Sequence, residues 1–219
     1  MVKGLGLLLH LLFRRKPTPG EAPAALDQCL VCGGPLQGDE TYRKWRVCPH
    51  CRFHYGVSAR ERVALLADPG SFKAKYRRIT SLDPLSFTGK VPYRRRLFRE
   101  QARTGLTDAA VVGNCRIGGV KTVLLLLDFS FLGGSMGCVV GEKVALAFEY
   151  AAKRKQPLVA LVTSGGVRLQ EGPLSLMQMV KAVAAATKFH RTGAPYIAVL
   201  ASPTTGQAYA SFVSLADII

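Results

Sequence analysis

Residues 157–168, PLVALVTSGGVR, decide the fold of this chain, because an apolar run leads directly into a pair of glycines. Pro157–Thr163 has the length and composition of a buried β-strand, and Gly165-Gly166 marks the turn that ends it. The same order recurs in Pro195–Ala201, which is followed by the turn Pro203-Thr204-Thr205-Gly206. Strand, glycine turn and helix in repeated succession predict an α/β core with parallel strand pairing.

Hydrophobic periodicity predicts the other elements around these two strands. A β-meander with a Gly-Gly turn is predicted for Ala109–Val112, Arg116–Val120 and Thr122–Phe129. Helices are predicted for Gly141–Lys155, for Leu174–Arg191 and from Tyr209 onward. Upstream, Ser58 and Glu61 form a capping box that starts a helix, and Asp68-Pro69-Gly70 stops it.

The functional signal lies in three glycine-containing turns that follow predicted strands: Phe131–Gly137, Thr163–Arg168 and Pro203–Gly206. Glycine allows a positive φ and lets backbone N–H groups approach a ligand closely. Two such groups near a helix N-terminus stabilise an oxygen that gains negative charge. A plain tight turn is the alternative for any single pair, but three turns at one expected sheet edge favour a binding site.

Side chains for nucleophilic catalysis are missing from these turns. No Ser-His-Asp or Cys-His arrangement falls on the predicted core, no GxGxxG opens a helix, and all four histidines lie outside the glycine turns. Cys115 and Cys138 stand alone and are typical of small buried hydrophobic residues. The sequence therefore favours enolate chemistry, in which backbone donors do the main work and the base comes from the substrate or cofactor.

Cys29, Cys32, Cys48 and Cys51 have the spacing C-x2-C-x15-C-x2-C. Two residues between paired cysteines let both sulfurs face one point, and four thiolates satisfy Zn²⁺ without an open position. The spacing predicts one structural zinc ion. Two disulfides in a secreted module are the alternative, disfavoured by the absence of a cleavable signal peptide at the N-terminus. The sequence thus favours a cytoplasmic protein.

Charge is unevenly distributed along the chain. The formal net charge is +16, and residues 1–105 alone hold 20 basic and 8 acidic residues. Such a surface attracts nucleic acid, a phosphorylated ligand such as coenzyme A, or an acidic partner; a solvated face without a specific ligand is equally compatible. The apolar run Gly4–Phe13 is too short to span a bilayer, so no transmembrane segment is predicted.

These patterns divide the chain into four parts. Residues 1–25 form an apolar and basic segment with a linker, and residues 26–56 form the four-cysteine zinc ribbon, expected to be all-β. Residues 57–105 form a basic connecting arm in which Tyr93–Thr104 is helical. Residues 106–219 form the α/β core, which stops at Ala216-Asp217-Ile218-Ile219, where a further buried strand should start.

Several longer motifs carry a family resemblance: SARERVALLADPGSF (58–72), DPLSF (83–87), DFSFLGGSMGCVVGEK (128–143), TSGGVRLQEGPLSLMQM (163–179) and PTTG (203–206). Together with the four cysteines, they resemble the β-subunit family of the carboxyltransferase of bacterial and plastid acetyl-CoA carboxylase. The resemblance covers the chain from the zinc ribbon to its last residue. It implies a crotonase-like (ClpP/crotonase) fold, an α/β superhelix of repeated ββα units behind the zinc ribbon. Because the family continues through further ββα units, the resemblance also implies that the core is incomplete at its C-terminus.

The resemblance also implies an activity and its partners. The expected reaction moves a carboxyl group from carboxybiotin, held on a biotin carboxyl carrier protein, to acetyl-CoA, giving malonyl-CoA for fatty acid synthesis. The expected assembly is an α2β2 heterotetramer with a carboxyltransferase α subunit. It acts beside biotin carboxylase within an ATP-dependent, nucleotide-binding complex, so this chain alone should be inactive.

Residue roles carry over from the family's motifs. The resemblance implies that the N–H groups of Gly165 and Gly166 serve the thioester oxygen. Expected substrate-binding positions are Gly133, Gly134, Ser164, Arg168, Thr205 and Gly206. Arg168 and Glu171 are also compatible with a pair that braces the turn. One departure is Gln207, where the family usually has a second glycine.

Two alternatives stay open at this point. One is a carboxyltransferase for a different acyl-CoA, since the sequence does not fix the acyl chain. The other is a zinc-ribbon protein that binds nucleic acid, with Tyr42, Trp45, Phe53 and Tyr55 as possible stacking residues. The second alternative leaves the glycine turns unexplained.

Overall fold

The computed structural model describes residues 26–219, so the predicted N-terminal apolar segment and linker lie outside the described residues. The strands are β1 Lys73–Lys75, β2 Ala110–Ile117, β3 Val120–Leu127, β4 Leu158–Ser164 and β5 Tyr196–Thr204. The helices are α1 Glu40–Trp45, α2 Ala59–Leu66, α3 Tyr93–Thr104, α4 Cys138–Arg154, α5 Gly172–His190 and α6 Gly206–Tyr209. Short 3₁₀ turns cover Leu132–Gly134, Leu169–Glu171 and Val213–Leu215. Within the described residues, no helix combines the length and apolar content that a bilayer crossing requires.

The five strands form one sheet in the order β1-β2-β3-β4-β5. The first three strands pair antiparallel, whereas β3 with β4 and β4 with β5 pair parallel. The carboxyl ends of β3, β4 and β5 therefore meet at one edge, and a glycine-containing turn follows each of them. The parallel pairing predicted for the two apolar strands is confirmed.

Strand β3 is buried on both faces, which explains its nearly continuous apolar sequence. Val123, Leu125 and Leu127 belong to the main core, which α4 and α5 cover with side chains such as Phe148 and Phe189. On the opposite face, Leu124 and Leu126 pack in a second cluster with Ala59 of α2 and Cys115 of β2. The capping box predicted for α2 is present, since Ser58 and Glu61 satisfy each other's backbone N–H groups.

Some predicted elements differ from the observed ones. The first two segments of the predicted meander are one continuous strand, β2, which forms a two-stranded hairpin with β3. The last predicted helix begins earlier, as α6, and ends at Tyr209. Strand β1 was not predicted, because Lys73-Ala74-Lys75 lies largely exposed at the edge of the sheet and carries no apolar pattern. Residues 26–56 are also not purely β, since α1 begins after Asp39, whose carboxylate accepts a hydrogen bond from the Tyr42 N–H.

Gly113 allows β1 to dock beside β2. A Cβ at this position would overlap the Phe72 ring and would lie 2.9 Å from the Lys73 carbonyl oxygen. We expect Gly113→Ala to lower the free energy of unfolding by about 1–3 kcal/mol through overpacking. Urea denaturation of Gly56→Ala gives the matched control, because a Cβ at Gly56 meets open space. Equal stability of the two variants would contradict this packing argument.

Candidate active site and metal centre

The structure brings the three predicted glycine turns together at one edge of the sheet. The Gly165 N–H donates to the Gly133 carbonyl at 2.8 Å, which joins the turn after β4 to the turn after β3. The Thr205 N–H donates to the Ser164 carbonyl at 2.9 Å, which joins the turn after β5 to the turn after β4. The three segments therefore form one contiguous backbone surface.

Two glycines in this surface are required by geometry. Gly134 has φ of +62°, and a Cβ there would overlap the Thr163 carbonyl oxygen. Gly166 has φ of +93°, and a Cβ there would lie 3.6 Å from the backbone nitrogen of Gln207. A side chain at Gly166 would thus stand directly in front of the turn that starts α6.

Backbone donors at this edge fall into two groups. The N–H of Gly165 is committed to Gly133, and the N–H of Gly166 donates to the Ser164 hydroxyl at 3.1 Å. By contrast, the N–H groups of Val167, Gly206 and Gln207 donate to no acceptor within residues 26–219. The surface therefore offers unpaired N–H groups, but they come from the residue after the glycine pair and from the first turn of α6.

Ser164 and Thr205 hold the turns in place. The Ser164 hydroxyl donates to the Gly134 carbonyl at 2.8 Å, and the residue is fully buried. The Thr205 hydroxyl donates to the Ser164 carbonyl at 3.2 Å. The buried side chain is occupied by the backbone of the turns, and the expected role of Ser164 as a substrate-binding position stays a prediction. Its geometry assigns it to bracing the glycine turns.

Arg168 is also fully buried, and its expected role in substrate binding stays a prediction. Its guanidinium makes a bidentate ion pair with Asp108, with both N–O distances 2.7 Å. It also donates to the Ser135 carbonyl at 2.6 Å. Burial by itself would lower the pKa of Arg168, but the charge and hydrogen bonds of Asp108 raise it, so the group stays charged. The alternative in which Arg168 braces the turn fits the structure.

Glu171 belongs to the same buried network. Its carboxylate accepts hydrogen bonds from the Tyr93 hydroxyl at 2.6 Å and from the Cys138 N–H at the start of α4. Burial raises the pKa of Glu171, but these two hydrogen bonds and the Arg168 charge outweigh that effect and hold it below its usual value. The charged carboxylate is placed at the positive end of a 17-residue helix.

Neither solitary cysteine is activated as a nucleophile. Burial raises the pKa of Cys138 to about 11, and the neighbouring Glu171 contributes to the rise. Burial also raises the pKa of Cys115. Both thiols are therefore protonated near neutral pH, and a thiolate is the form that attacks. Neither thiol is therefore poised to act as a nucleophile, and the role of backbone donors at this edge stays a prediction.

Sequence reasoning missed Asp108, Ser135 and Tyr93. Asp108 lies 60 residues from Arg168 in the chain, and Tyr93 lies 78 residues from Glu171. Tyr93 starts α3, so the basic connecting arm supplies part of the support for the site. A lone aspartate or tyrosine before a predicted element gives no local signal of such a long-range partner.

The four predicted metal ligands converge at the other end of the described chain. The sulfur atoms of Cys29, Cys32, Cys48 and Cys51 all lie within 4.8 Å of one another. The Cys29–Cys51 and Cys32–Cys48 sulfur pairs are each 3.7 Å apart, too far for disulfides. A tetrahedron with metal–sulfur bonds of roughly 2.3 Å has edges of about 3.8 Å, so these distances fit a metal ion bound by four thiolates.

Removing the partner of Arg168 should strongly destabilise the core. We expect Asp108→Asn to lower the free energy of unfolding by about 3–5 kcal/mol, because the buried guanidinium loses its bidentate partner and keeps only the Glu171 carboxylate, 3.7 Å away. Chemical denaturation followed by circular dichroism measures the loss. The control is Glu40→Gln, which breaks the exposed Arg43–Glu40 pair at 3.6 Å and should cost less than about 1 kcal/mol. Equal small effects would show that the buried pair does not stabilise the fold.

Comparison with known proteins agrees with this arrangement. The family described as "Carboxyl transferase domain" matches residues 58–219. The acetyl-coenzyme A carboxylase carboxyl transferase subunit beta of a Thermus thermophilus strain is 46% identical over 216 residues, which is 97% of this chain and 75% of that protein. The protein of the same name from Protochlamydia amoebophila is 44% identical over 192 residues, 88% of this chain and 63% of its own length.

Solved structures show the same fold. Transcarboxylase 12S, with methylmalonyl-coenzyme A and methylmalonic acid bound, aligns with a TM-score of 0.60 at 30% identity. The alignment covers 74% of this chain but only 29% of the transcarboxylase chain. A Pseudomonas malonate decarboxylase hetero-dimer aligns with a TM-score of 0.55 at 28% identity, over 74% of this chain and 60% of that one.

These matches confirm the crotonase-like α/β fold and the resemblance that the motifs carried. The matched region begins at Ser58, the N-cap of α2, and includes all three glycine turns. The chain belongs to the carboxyl transferase family, among the β subunits of the acetyl-CoA carboxylase carboxyltransferase.

Proposed function

We propose that this chain, assembled with a carboxyltransferase α subunit, transfers the carboxyl group of carboxybiotin to acetyl-CoA and so forms malonyl-CoA. The observation that carries the proposal is the joined surface of three glycine turns, with unpaired N–H groups at Val167, Gly206 and Gln207 within the described part of the chain. Such a surface suits a reaction that builds negative charge on a thioester oxygen.

The chain's own part in the reaction is to stabilise and orient. Carboxybiotin on its carrier protein supplies the activated carboxyl group and, once CO2 has left, the base. When a proton leaves the methyl group of acetyl-CoA, charge moves to the thioester oxygen, and preorganised N–H donors lower the energy of that enolate. We assign the donor role to the backbone N–H groups of Gly206, Gln207 and Val167, which no acceptor in residues 26–219 occupies.

The remaining turn residues shape this cleft. Gly165 and Gly166 hold the turn after β4 in place through hydrogen bonds from their N–H groups to the Gly133 carbonyl and the Ser164 hydroxyl. These N–H groups could donate to a substrate only if those hydrogen bonds broke. Gly133 and Gly134 supply carbonyl acceptors that fix this turn. At Gln207 only the backbone faces Gly166, since the side chain is buried and donates to the Ser175 carbonyl. Although the family usually has a glycine here, the Gln207 side chain therefore leaves the Gln207 backbone N–H available.

A partner subunit is proposed to cover the exposed face of α5. Apolar side chains on and just before this helix are largely exposed: Leu169, Leu174, Leu176, Met177 and Val180. Val180, for example, is 69% exposed. A group of exposed apolar side chains is typical of a surface that another protein covers. The related malonate decarboxylase is a hetero-dimer, which supports an α subunit as the occupant. The carrier protein, biotin carboxylase, an α2β2 assembly and a cytoplasmic location remain predictions.

We propose zinc as the ion of the cysteine cluster, because the four-thiolate set and its spacing suit Zn²⁺. The ion would close two turns, in which the Gly33 N–H donates to the Cys29 carbonyl and the Arg52 N–H donates to the Cys48 carbonyl. With four protein ligands the site would be structural, and it would contribute to folding of residues 26–56.

Nucleic-acid binding by this module has weaker support. Trp45 and Phe53 are exposed, and Lys44 lies over the Trp45 ring at 4.9 Å. However, Arg46 is paired with Glu61 at 2.7 Å, and Tyr42 is buried against the edge of Tyr55. Arg46 and Tyr42 are therefore engaged within the protein, where nucleic-acid binding would need a free cation and an exposed ring. We keep carboxyl transfer as the proposed function.

Gly166→Ala tests the proposed function. The added Cβ would be strained at φ of +93° and would lie 3.6 Å from the Gln207 nitrogen, in front of the proposed donors. We expect a rate loss of roughly 10²–10³, the scale of one oxyanion donor. The assay is biotin-dependent decarboxylation of malonyl-CoA by the chain assembled with an α subunit.

A control variant and two possible outcomes make that assay decisive. Cys138→Ser should keep nearly full activity, because the thiol is protonated and takes no part in the proposed reaction. Absence of turnover by the assembled wild-type chain would contradict the proposed function itself. Full activity in an assembled Gly166→Ala protein would contradict the role of this turn while leaving the reaction in place.

Cys48→Ser tests the metal centre. Elemental analysis of protein purified under reducing conditions should show one zinc ion per wild-type chain and a loss of zinc in the variant. Residues 26–56 should then become sensitive to proteolysis, because the ion holds the two turns together. Cys115→Ser serves as the control, since Cys115 lies in the second core cluster and should leave the zinc content unchanged. A wild-type chain without bound zinc would contradict the assignment.

A further inference from the structure

A cavity of about 350 Å³ lies beside β1 and β2, between α2 and the segment that leads into β2. It is separate from the three glycine turns, since none of their residues lines it. Its apolar wall is formed by Val63, Phe72, Leu106 and Val111. Its polar lining is formed by Arg60, Lys75, Arg77, Thr107, Asp108 and Lys143.

Lys143 is a buried cation with neutral partners. The side chain projects from α4, the residue is 3% exposed, and its ammonium donates to the Thr107 hydroxyl and the Ala110 carbonyl, both at 3.0 Å. An ammonium has three N–H donors, so one remains for another acceptor. Burial lowers the pKa of Lys143 to about 8, an effect that the Asp108 charge reduces and the Arg168 charge reinforces.

The single carboxylate in the lining does not neutralise the cavity. Both Asp108 oxygens accept hydrogen bonds from Arg168 at 2.7 Å. Arg60, Lys75 and Arg77 form no ion pair with any acidic side chain of residues 26–219. The Lys75 ammonium lies over the Tyr150 ring at 5.5 Å. Lys143, Arg60 and Arg77 therefore line a space whose one carboxylate among residues 26–219 is already paired, and this imbalance favours an anion with several acceptor oxygens.

We propose that this cavity binds the phosphate group of a small amphipathic ligand, with Lys143 at its floor and Arg60 and Arg77 at its rim. A phosphate presents enough oxygens to engage several cations at once, and the apolar wall accommodates the organic part of the ligand. The phosphate could belong to coenzyme A or to a separate phosphorylated metabolite. The proposal does not depend on carboxyl transfer, because binding is measured directly.

Titration calorimetry of the full chain with inorganic pyrophosphate tests the proposal. We expect Lys143→Met and the rim variant Arg60→Gln each to weaken binding by about tenfold or more, the cost of one charge-assisted hydrogen bond. Lys121→Gln is the matched control, because Lys121 is exposed on β3 and does not line the cavity. Because Arg60 is exposed, we expect Arg60→Gln to fold, so the test stands even if Lys143→Met unfolds the chain.

Two further ligands identify the source of the phosphate. One outcome is that coenzyme A displaces pyrophosphate whereas pantetheine, which lacks phosphate, fails to do so. In that case the cavity holds the phosphates of the substrate. A second outcome is that Arg60→Gln weakens the binding of pyrophosphate but leaves the affinity for coenzyme A unchanged. In that case the ligand of the cavity is a separate phosphorylated molecule. No pyrophosphate binding to the wild type, or equal loss in Arg60→Gln and Lys121→Gln, would overturn the proposal.

Discussion

The buried ion pair between Arg168 and Asp108 is the interaction on which the candidate active site depends. Removing a guanidinium from water is costly, and the cost is offset only when the charge is paired and its N–H groups are satisfied. Arg168 meets both conditions by reaching Asp108 before β2 and Ser135 before α4. Because one side chain holds both segments, the turn after β4 cannot move without breaking contacts to each of them.

This bracing explains how the backbone of the glycine turns is held in a fixed geometry within the described part of the chain. Hydroxyls and carboxylates near the turns bond to the backbone, as Ser164 does with Gly134 and Glu171 does with Cys138. The N–H groups of Gly206 and Gln207 find no acceptor in residues 26–219 because they open α6, where no preceding helical turn exists to accept them. The same construction that rigidifies the edge thus leaves N–H donors in fixed positions, which is what the proposed oxyanion role requires.

Local sequence patterns predicted most helices and strands. The features that they missed depend on contacts between residues far apart in the chain. The bounds of α3, Tyr93–Thr104, followed from the sequence, and the cysteine spacing predicted the convergence of four sulfurs. Strand β1 and the Asp108 pair could not be foreseen, because each depends on a neighbour far along the chain. The motif placed Arg168 at the site but could not show that its charge faces inward. Likewise, glycine composition located the turns without showing which N–H groups other residues had taken.

Asp108 links the active-site edge to the proposed phosphate cavity, because it pairs with Arg168 and also lines the space beside Lys143. Its charge raises the pKa of both cations, so it helps to keep each of them charged. A phosphate bound at Lys143 would take over that role on the cavity side and leave the carboxylate to Arg168. Charged groups separated by protein rather than by water interact strongly, so occupancy of the cavity and rigidity of the turn after β4 would be coupled. The basic connecting arm would then support the site twice, through Tyr93 on Glu171 and through the cations that surround the ligand.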